Sequence, residues 1–215
     1  MTISVVIAED QAMVRTGFRL ILESLGGVKV VGEAVNGSDA VRVVRETDPD
    51  VVLMDIRMPV MNGLRATEIL LAENPSLRVV IITTYDNEEN VFAALRAGAV
   101  GFLLKDSSPQ VLVDAVHNAV DGNAMLSPSV TVKLLKHFAT GGPAPSAPPG
   151  ASPLTSREMD VVRGVARGNT NAEIAQELGI SASAVKARLS EAQHRLGLRN
   201  RTEVAVWAWQ SRLVA

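Results

Sequence analysis

Four short apolar runs end on residues able to handle a phosphoryl group. Ile3 to Ala8 stops at Glu9-Asp10, Val51 to Met54 at Asp55, Val79 to Ile82 at Thr83, and Gly101 to Leu104 at Lys105. Short runs of this kind, rich in Val and Ile, read as strands buried on both faces of a parallel sheet. In such sheets ligands bind beyond the carboxyl ends of the strands. A strand-end Asp taken alone is more often a turn former, and Pro59 with Asn62-Gly63 does make a turn after Asp55. Asp55 is not alone, however. With the first and third strands side by side, Glu9, Asp10 and Asp55 meet in one crevice, where three carboxylates repel. A cation is the remedy, and an oxygen-only ligand set favours a hard ion such as Mg2+. The fourth and fifth strands bring the Thr83 hydroxyl and the Lys105 ammonium to the same rim. A carboxylate nucleophile, a divalent metal, a hydroxyl and a lysine together make a phosphoryl-transfer site. Asp55 would attack in line while Mg2+ and Lys105 balance the charge on the transferred oxygens.

The remaining segments of residues 1–121 supply a scaffold for those strand ends. Val28 to Ala34 is a further strand. A helix runs from about Met13, with Val14, Phe18, Ile21, Leu22 and Leu25 on one face. Others span about Asp39–Glu46, Gly63–Glu73 and Glu88–Ala97, and a last one opens at Ser108-Pro109 and runs to Asp121. Five strands alternating with five helices predict an α/β domain with a doubly wound, five-stranded parallel sheet in the flavodoxin-like order. No Gly-x-Gly-x-x-Gly follows the first strand and no Walker-type loop is present, which argues against a dinucleotide or P-loop site.

Composition divides the chain in two. The net charge of −2 over 215 residues conceals 12 Lys and Arg against 17 Asp and Glu in residues 1–136, and 9 against 6 in residues 151–215. An acidic half and a basic half suggest two tasks, the second on a polyanion. The absence of cysteine excludes disulfides and thiolate metal sites and fits a reducing compartment. Ile3 to Ala8 is too short for a membrane span and lacks a basic flank, so a cytoplasmic location is expected.

Between the halves, Ser127 to Phe138 reads as a helix, and Ala139 to Pro153 as an uncharged, proline-rich, semi-extended linker. Beyond it, Thr155-x-x-Glu158 and Thr170-x-x-Glu173 are capping boxes for two helices, ended by Gly168 and Gly179. Ser181 caps a third, with Val185, Leu189, Ala192 and Leu196 on one stripe and Gly197 at its end. Two short helices joined by Gly179-Ile180-Ser181 suggest a helix-turn-helix. The opposite face of the third helix offers Ser183, Lys186, Ala187, Ser190 and His194, with Arg188 at its flank; Thr170 joins them as a candidate DNA contact. A final helix from about Thr202 has apolar residues on two faces, Val204, Trp207 and Ala208 against Val206, Trp209 and Leu213. The second face is expected to meet a second copy of the chain or to pack under the first domain.

Residues 1–121 resemble the receiver domain of bacterial two-component response regulators, through Glu9-Asp10, Asp55, Met58-Pro59, Asn62-Gly63, Thr83 and Lys105. The resemblance implies that Asp55 is the phosphoacceptor and that Glu9, Asp10, Asp55 and the Arg57 backbone carbonyl hold Mg2+. It also implies that Thr83 and Lys105 bind the phosphoryl group, and that Phe102 is either a switch aromatic or an ordinary core residue. Residues 154–208 resemble the LuxR-type DNA-binding domain of the NarL/FixJ class. That match runs through Leu154-Thr155-x-Arg157-Glu158, Gly168-x-Thr170-Asn171-x-Glu173-Ile174-Ala175, Leu178, Ile180-Ser181, Val185-Lys186, Leu196-Gly197 and Arg201-Thr202. Ala184 and Arg188 depart from it, standing where the family usually has Thr and His. The two resemblances imply a receiver over residues 1–121, a helix and linker over 122–153, and a DNA-binding domain over 154–215. The expected function is a transcription regulator phosphorylated by a histidine kinase, binding double-stranded DNA as a homodimer and assisting only its own phosphotransfer and dephosphorylation. An aspartyl-nucleophile phosphatase is the enzymatic alternative; Arg57, in place of a second Asp two residues after the nucleophile, and the lack of a substrate cap speak against it. A DNA-binding protein whose receiver is never phosphorylated is the other.

Overall fold

The computed structural model describes residues 2–25, 27–84, 88–123, 125–126, 154–211 and 213. These fall in two compact units, one built on a parallel sheet and one all-helical. The helix expected over Ser127–Phe138 and the linker from Ala139 to Pro153 lie outside the described residues.

In the first unit the chain runs through β1 (Ile3–Ala8), α1 (Ala12–Leu25), β2 (Val28–Ala34), α2 (Gly37–Thr47), β3 (Val51–Met54) and α3 (Gly63–Glu73). It continues through β4 (Arg78–Thr83), α4 (Glu88–Ala97), β5 (Gly101–Leu104) and α5 (Pro109–Asp121). The strands are parallel in the order β2-β1-β3-β4-β5, the doubly wound arrangement expected. A two-residue strand, β6 (Met125–Leu126), extends the sheet beside β5. Two residues carry no periodicity, so β6 leaves no signature in the sequence.

The strands β1, β3, β4 and β5 are largely apolar on both sides because both sides are covered. Val5, Ile7, Leu53, Val80, Ile82 and Leu103 pack with Phe18 and Leu22 of α1 and with Leu112, Val113 and Val116 of α5. Their alternate neighbours, Val6, Ala8, Val52, Met54, Val79, Ile81 and Phe102, are equally buried and belong to the opposite face by the two-residue period of a strand. On α1, Val14 and Ile21 join the packed face, whereas Leu25, expected there, is 62% exposed at the helix end.

The strand order reverses at β1, with β2 on one side and β3 on the other, and such a reversal opens a crevice at the carboxyl ends. Ala8 pairs with Met54, so Glu9 and Asp55 leave the sheet side by side, and Asp55 N–H donates to the Ala8 carbonyl at 2.9 Å. Thr83 pairs with Leu104, which puts Lys105 one residue beyond. After Asp55 the chain folds back on itself. Gly63 N–H donates to the Ile56 carbonyl at 3.0 Å, and Asn62 caps α3 by accepting from Arg65 N–H at 2.8 Å. A Cβ on Gly63 would lie 1.9 Å from the Asp55 carbonyl oxygen, a backbone atom with no cheap way to yield.

The helical unit comprises α6 (Ser156–Ala166), α7 (Asn171–Leu178), α8 (Ala182–Leu196) and α9 (Arg201–Gln210). Both expected capping boxes are formed, and Ser181 accepts from Ala184 N–H. Gly179 and Gly197 end their helices with φ of 65° and 64°, the left-handed region that glycine enters without strain. Val161, Val162, Val165, Ile174, Val185, Leu189, Leu196, Val204 and Ala208 form the core, with Trp207 and Leu213 packed against it. Helix α9 begins close to the expected Thr202, where Asn200 accepts from Glu203 N–H at 2.9 Å while the Glu203 carboxylate accepts from Arg199 N–H at 2.7 Å. The spacing Asn200-x-x-Glu203 was legible as a cap. Glu158 is buried with its charge satisfied, accepting from Thr155 N–H at 2.6 Å and from Arg195 Nε at 2.9 Å.

Two of these local constraints have measurable consequences. Gly63→Ala is expected to cost about 1–3 kcal/mol by overpacking against backbone, read as a lower denaturant midpoint; an unchanged midpoint would show that the loop relaxes freely. Burial pushes the Glu158 carboxyl up, but the bonds from Thr155 and Arg195 outweigh it and hold its pKa below the ordinary 4.5. A carboxylate depressed in the folded state adds stability above its ordinary pKa, and that stability is lost as pH falls through the folded value. Both tryptophans lie in this unit, so their emission reports its melting. The melting temperature is expected to drop on acidification below about pH 4.5, and the drop should be smaller in Glu158→Gln.

Candidate functional site

The carboxyl edge of the sheet gathers the residues that the strand ends nominated. Lys105 Nζ lies 2.6 Å from Glu9 Oε2 and 3.1 Å from Asp55 Oδ2, an ammonium held between two buried carboxylates. Beyond that ion pair, Glu9 Oε2 is a buried acceptor with no other donor among the described residues. Its sister oxygen accepts from Gln11 N–H at 3.1 Å. Asp10 is exposed beside the pair, and one oxygen from each of Glu9, Asp10 and Asp55 lies within 4.8 Å of the others. Thr83 is fully buried at the end of β4, and its carbonyl accepts from Lys105 N–H at 3.0 Å. Arg57 is exposed two residues beyond Asp55. Phe102 is fully buried in β5.

Burial dominates the electrostatics. It raises the pKa of Asp55 above the ordinary carboxylate value, against the pull of Lys105 and of backbone N–H groups of Ile56 and Arg57. Burial raises Glu9 in the same way, opposed by Lys105 and Gln11. Desolvation works to lower Lys105, but its contacts with Glu9 and Asp55 prevail and hold its pKa above the ordinary value. With all groups ionised, three carboxylates face one ammonium, which leaves two negative charges unbalanced. The donor set fits Mg2+. It is made of oxygen only, one oxygen from each of the three carboxylates lies within 4.8 Å of the others, and the buried Glu9 oxygen has no donor among the described residues but the Lys105 ammonium.

Two residues beside the site escaped the sequence reading. Arg15 of α1 donates from a terminal guanidinium nitrogen to the Glu9 carbonyl at 2.8 Å and from Nε to Glu33 at 2.8 Å. Glu33 stands near the end of β2, as Glu9 and Asp55 stand at the ends of their strands, so the signal that found them applied to it too.

In the helical unit the face of α8 opposite the core is polar and accessible. Ser183, Ala187, Ser190 and His194 are exposed, while Lys186 and Arg188 are half-buried at its sides. Ser183 shares a 2.9 Å hydroxyl contact with Ser181. Thr170 is exposed at the start of α7, and its hydroxyl is engaged by Glu173 in the cap.

Comparison with known proteins matches this arrangement along the whole chain. Residues 5–117 match the response regulator receiver domain, and residues 152–208 match the luxR family of bacterial regulatory proteins. The uncharacterized transcriptional regulatory protein YxjL of Bacillus subtilis (strain 168) is 36% identical over 212 residues, 99% of this chain and 97% of that protein. The nitrate/nitrite response regulator protein NarL of Escherichia coli (strain K12) is 34% identical over 210 residues, 98% of this chain and 96% of that one. Among solved structures, one of two RcsB dimers bound to two parallel DNAs has 25% sequence identity and a TM-score of 0.58, covering 97% of this chain and 98% of that chain. A receiver-type site on a doubly wound sheet, followed by a LuxR-type helical unit and matched end to end by such relatives, makes this chain a member of the NarL/FixJ-class response regulators, a family of DNA-binding transcription regulators.

Proposed function

We propose that Asp55 accepts a phosphoryl group from a histidine kinase and that its phosphorylation controls dimerisation and DNA binding through α7 and α8. The observation that supports this most directly is the placement of Lys105 within 3.1 Å of Asp55 and 2.6 Å of Glu9 at the strand ends. In this reading Glu9, Asp10, Asp55 and the Arg57 backbone carbonyl hold Mg2+. The bound ion would supply the positive charge that offsets the phosphoryl oxygens. Asp55 Oδ attacks phosphorus in line, and the donor nitrogen leaves with the bonding electron pair. Lys105, already charged and within reach of Asp55, pairs with an oxygen of the transferred group. The Thr83 hydroxyl donates to another, and the Ile56 and Arg57 N–H groups keep the Asp55 carboxylate oriented. Phe102 would transmit the change at Thr83 as a switch residue.

The DNA-contact set is Thr170, Ser183, Lys186, Ala187, Arg188, Ser190 and His194. The RcsB complex with DNA lends support, since that protein binds as a dimer, and a two-fold protein suits paired half-sites. No described helix is long and apolar enough to cross a membrane.

Asp55→Asn is expected to abolish phosphorylation by a small phosphodonor with Mg2+, because an amide is a poor nucleophile. It should also raise the melting temperature. A carboxylate whose folded pKa is raised contributes stability below its ordinary pKa and loses it as pH rises through the folded value, so the ionised group destabilises the protein near neutrality. Wild-type phosphorylation of the variant would end the assignment. On the DNA side, affinity should fall with salt as counterions are released, and Lys186→Ala should weaken binding and reduce the salt slope by about 1. A slope identical to wild type would remove Lys186 from the phosphate contacts.

A further inference from the structure

The peptide that joins Glu9 to Asp10 is tied down from outside the acidic cluster. Arg15 sits one turn into α1, where its backbone N–H donates to the Gln11 carbonyl at 3.0 Å. Its guanidinium reaches back against the chain direction and donates to the Glu9 carbonyl at 2.8 Å. That bond closes a loop from Glu9 to Arg15 and fixes the plane of the Glu9–Asp10 peptide, hence the direction in which Asp10 leaves. The guanidinium is fixed in turn. Its Nε donates to Glu33 Oε2 at 2.8 Å, while Arg19 Nε donates to the other Glu33 oxygen at 2.6 Å. Glu33 belongs to β2, where it pairs with Ile7 of β1, and Glu9 N–H donates to the Ala34 carbonyl at 3.0 Å. The side chain of Arg15 is only 15% exposed. It is thus held at one end by the strand beside β1 and at the other by the acidic pair itself.

Glu9 and Asp10 differ in how much they need this. Glu9 is buried and gripped through its carboxylate by Lys105 and Gln11. Asp10 is exposed, so its orientation depends on the backbone that carries it. A small divalent ion needs its ligands placed closely, and residues behind a ligand commonly govern affinity by orienting it. We propose that Arg15, held by Glu33, is a positioning residue for the metal site, setting the Glu9–Asp10 peptide so that Asp10 is preorganised as a ligand. The proposal rests on the reading of Glu9, Asp10 and Asp55 as that site.

A positioning role and a plain charge effect have opposite signs here. Arg15 is a cation near a cation site, so removing it should tighten Mg2+ binding if only Coulomb repulsion were at work. If Arg15 positions Asp10, its removal weakens binding. Lysine keeps the charge but cannot donate in a fixed fork to Glu33 and the Glu9 carbonyl together, so Arg15→Lys should not restore affinity. Arg19→Ala removes the other arm on Glu33 without touching the peptide and serves as the control for lost ion pairing.

The experiment is calorimetric titration of the full-length, unphosphorylated protein with MgCl2, alongside thermal melting of each variant. Arg15→Ala and Arg15→Lys are expected to bind about tenfold more weakly than wild type, Glu33→Ala to follow them, and Arg19→Ala to stay within about twofold while losing comparable thermal stability. Tighter or unchanged binding in Arg15→Ala overturns the proposal. So does full recovery in Arg15→Lys, or a loss in Arg19→Ala as large as that in Arg15→Ala. A wild-type protein that takes up no Mg2+ overturns the metal site itself and the proposal with it. Uptake lost in Asp10→Ala but unaltered in Arg15→Ala overturns only the role of Arg15.

Discussion

One ammonium between buried carboxylates organises the receiver unit. Lys105 is the cation that contacts the carboxylates of both Glu9 and Asp55, and three carboxylates converge where it sits. Taking carboxylates out of water is expensive, and pairing offsets that cost only in part. The remainder appears as the raised pKa of both Glu9 and Asp55, with burial as the largest cause. A site left short of positive charge is a poor arrangement for stability and a good one for attracting a cation and a phosphoryl group together. Departures from local optimality of this sort are expected where function resides.

The sheet exists in the form needed to hold that arrangement. The strands that carry the site are brief and largely apolar, and the parallel order makes all their ends share one edge. The pairing of Ala8 with Met54 brings Glu9 beside Asp55, and the pairing of Thr83 with Leu104 brings Lys105 to meet them. A slip of one residue in either ladder would turn these side chains to the opposite face. Gly63 completes the frame by letting the loop after Asp55 close against the Asp55 carbonyl.

The helical unit is built on a different economy. Its helices are 8 to 15 residues long, short enough that ends matter as much as packing. Thr155, Thr170, Ser181 and Asn200 each satisfy an N–H at a helix start, and Gly179 and Gly197 allow the sharp reversals after α7 and α8. With the ends secured, one stripe of α8 fills the core and the opposite stripe stays polar. The half-buried Lys186 and Arg188 lie along the margin between them. A basic unit with an accessible polar helix face suits a polyanion, whereas the acidic receiver unit suits a metal and a phosphoryl group.

Local chemistry is what the sequence determined by itself. Strand ends at Glu9, Asp55, Thr83 and Lys105, capping boxes at Thr155 and Thr170, and glycines after helices can all be read because each depends on residues within a few positions of one another. The receiver site was legible because the parallel alternation of strands and helices leaves few ways to arrange their ends. Tertiary structure decided whatever depends on distant segments meeting. It buried Glu9 and left Asp10 exposed, although the two are adjacent and chemically alike. It set Arg15 and Arg19 on Glu33, linking α1 to β2, and Glu158 against Arg195, 37 residues away. It also added β6, whose two residues are a strand only because β5 offers them an edge. No spacing rule encodes those outcomes, since each follows from how elements far apart in the chain pack and from which groups that packing removes from water.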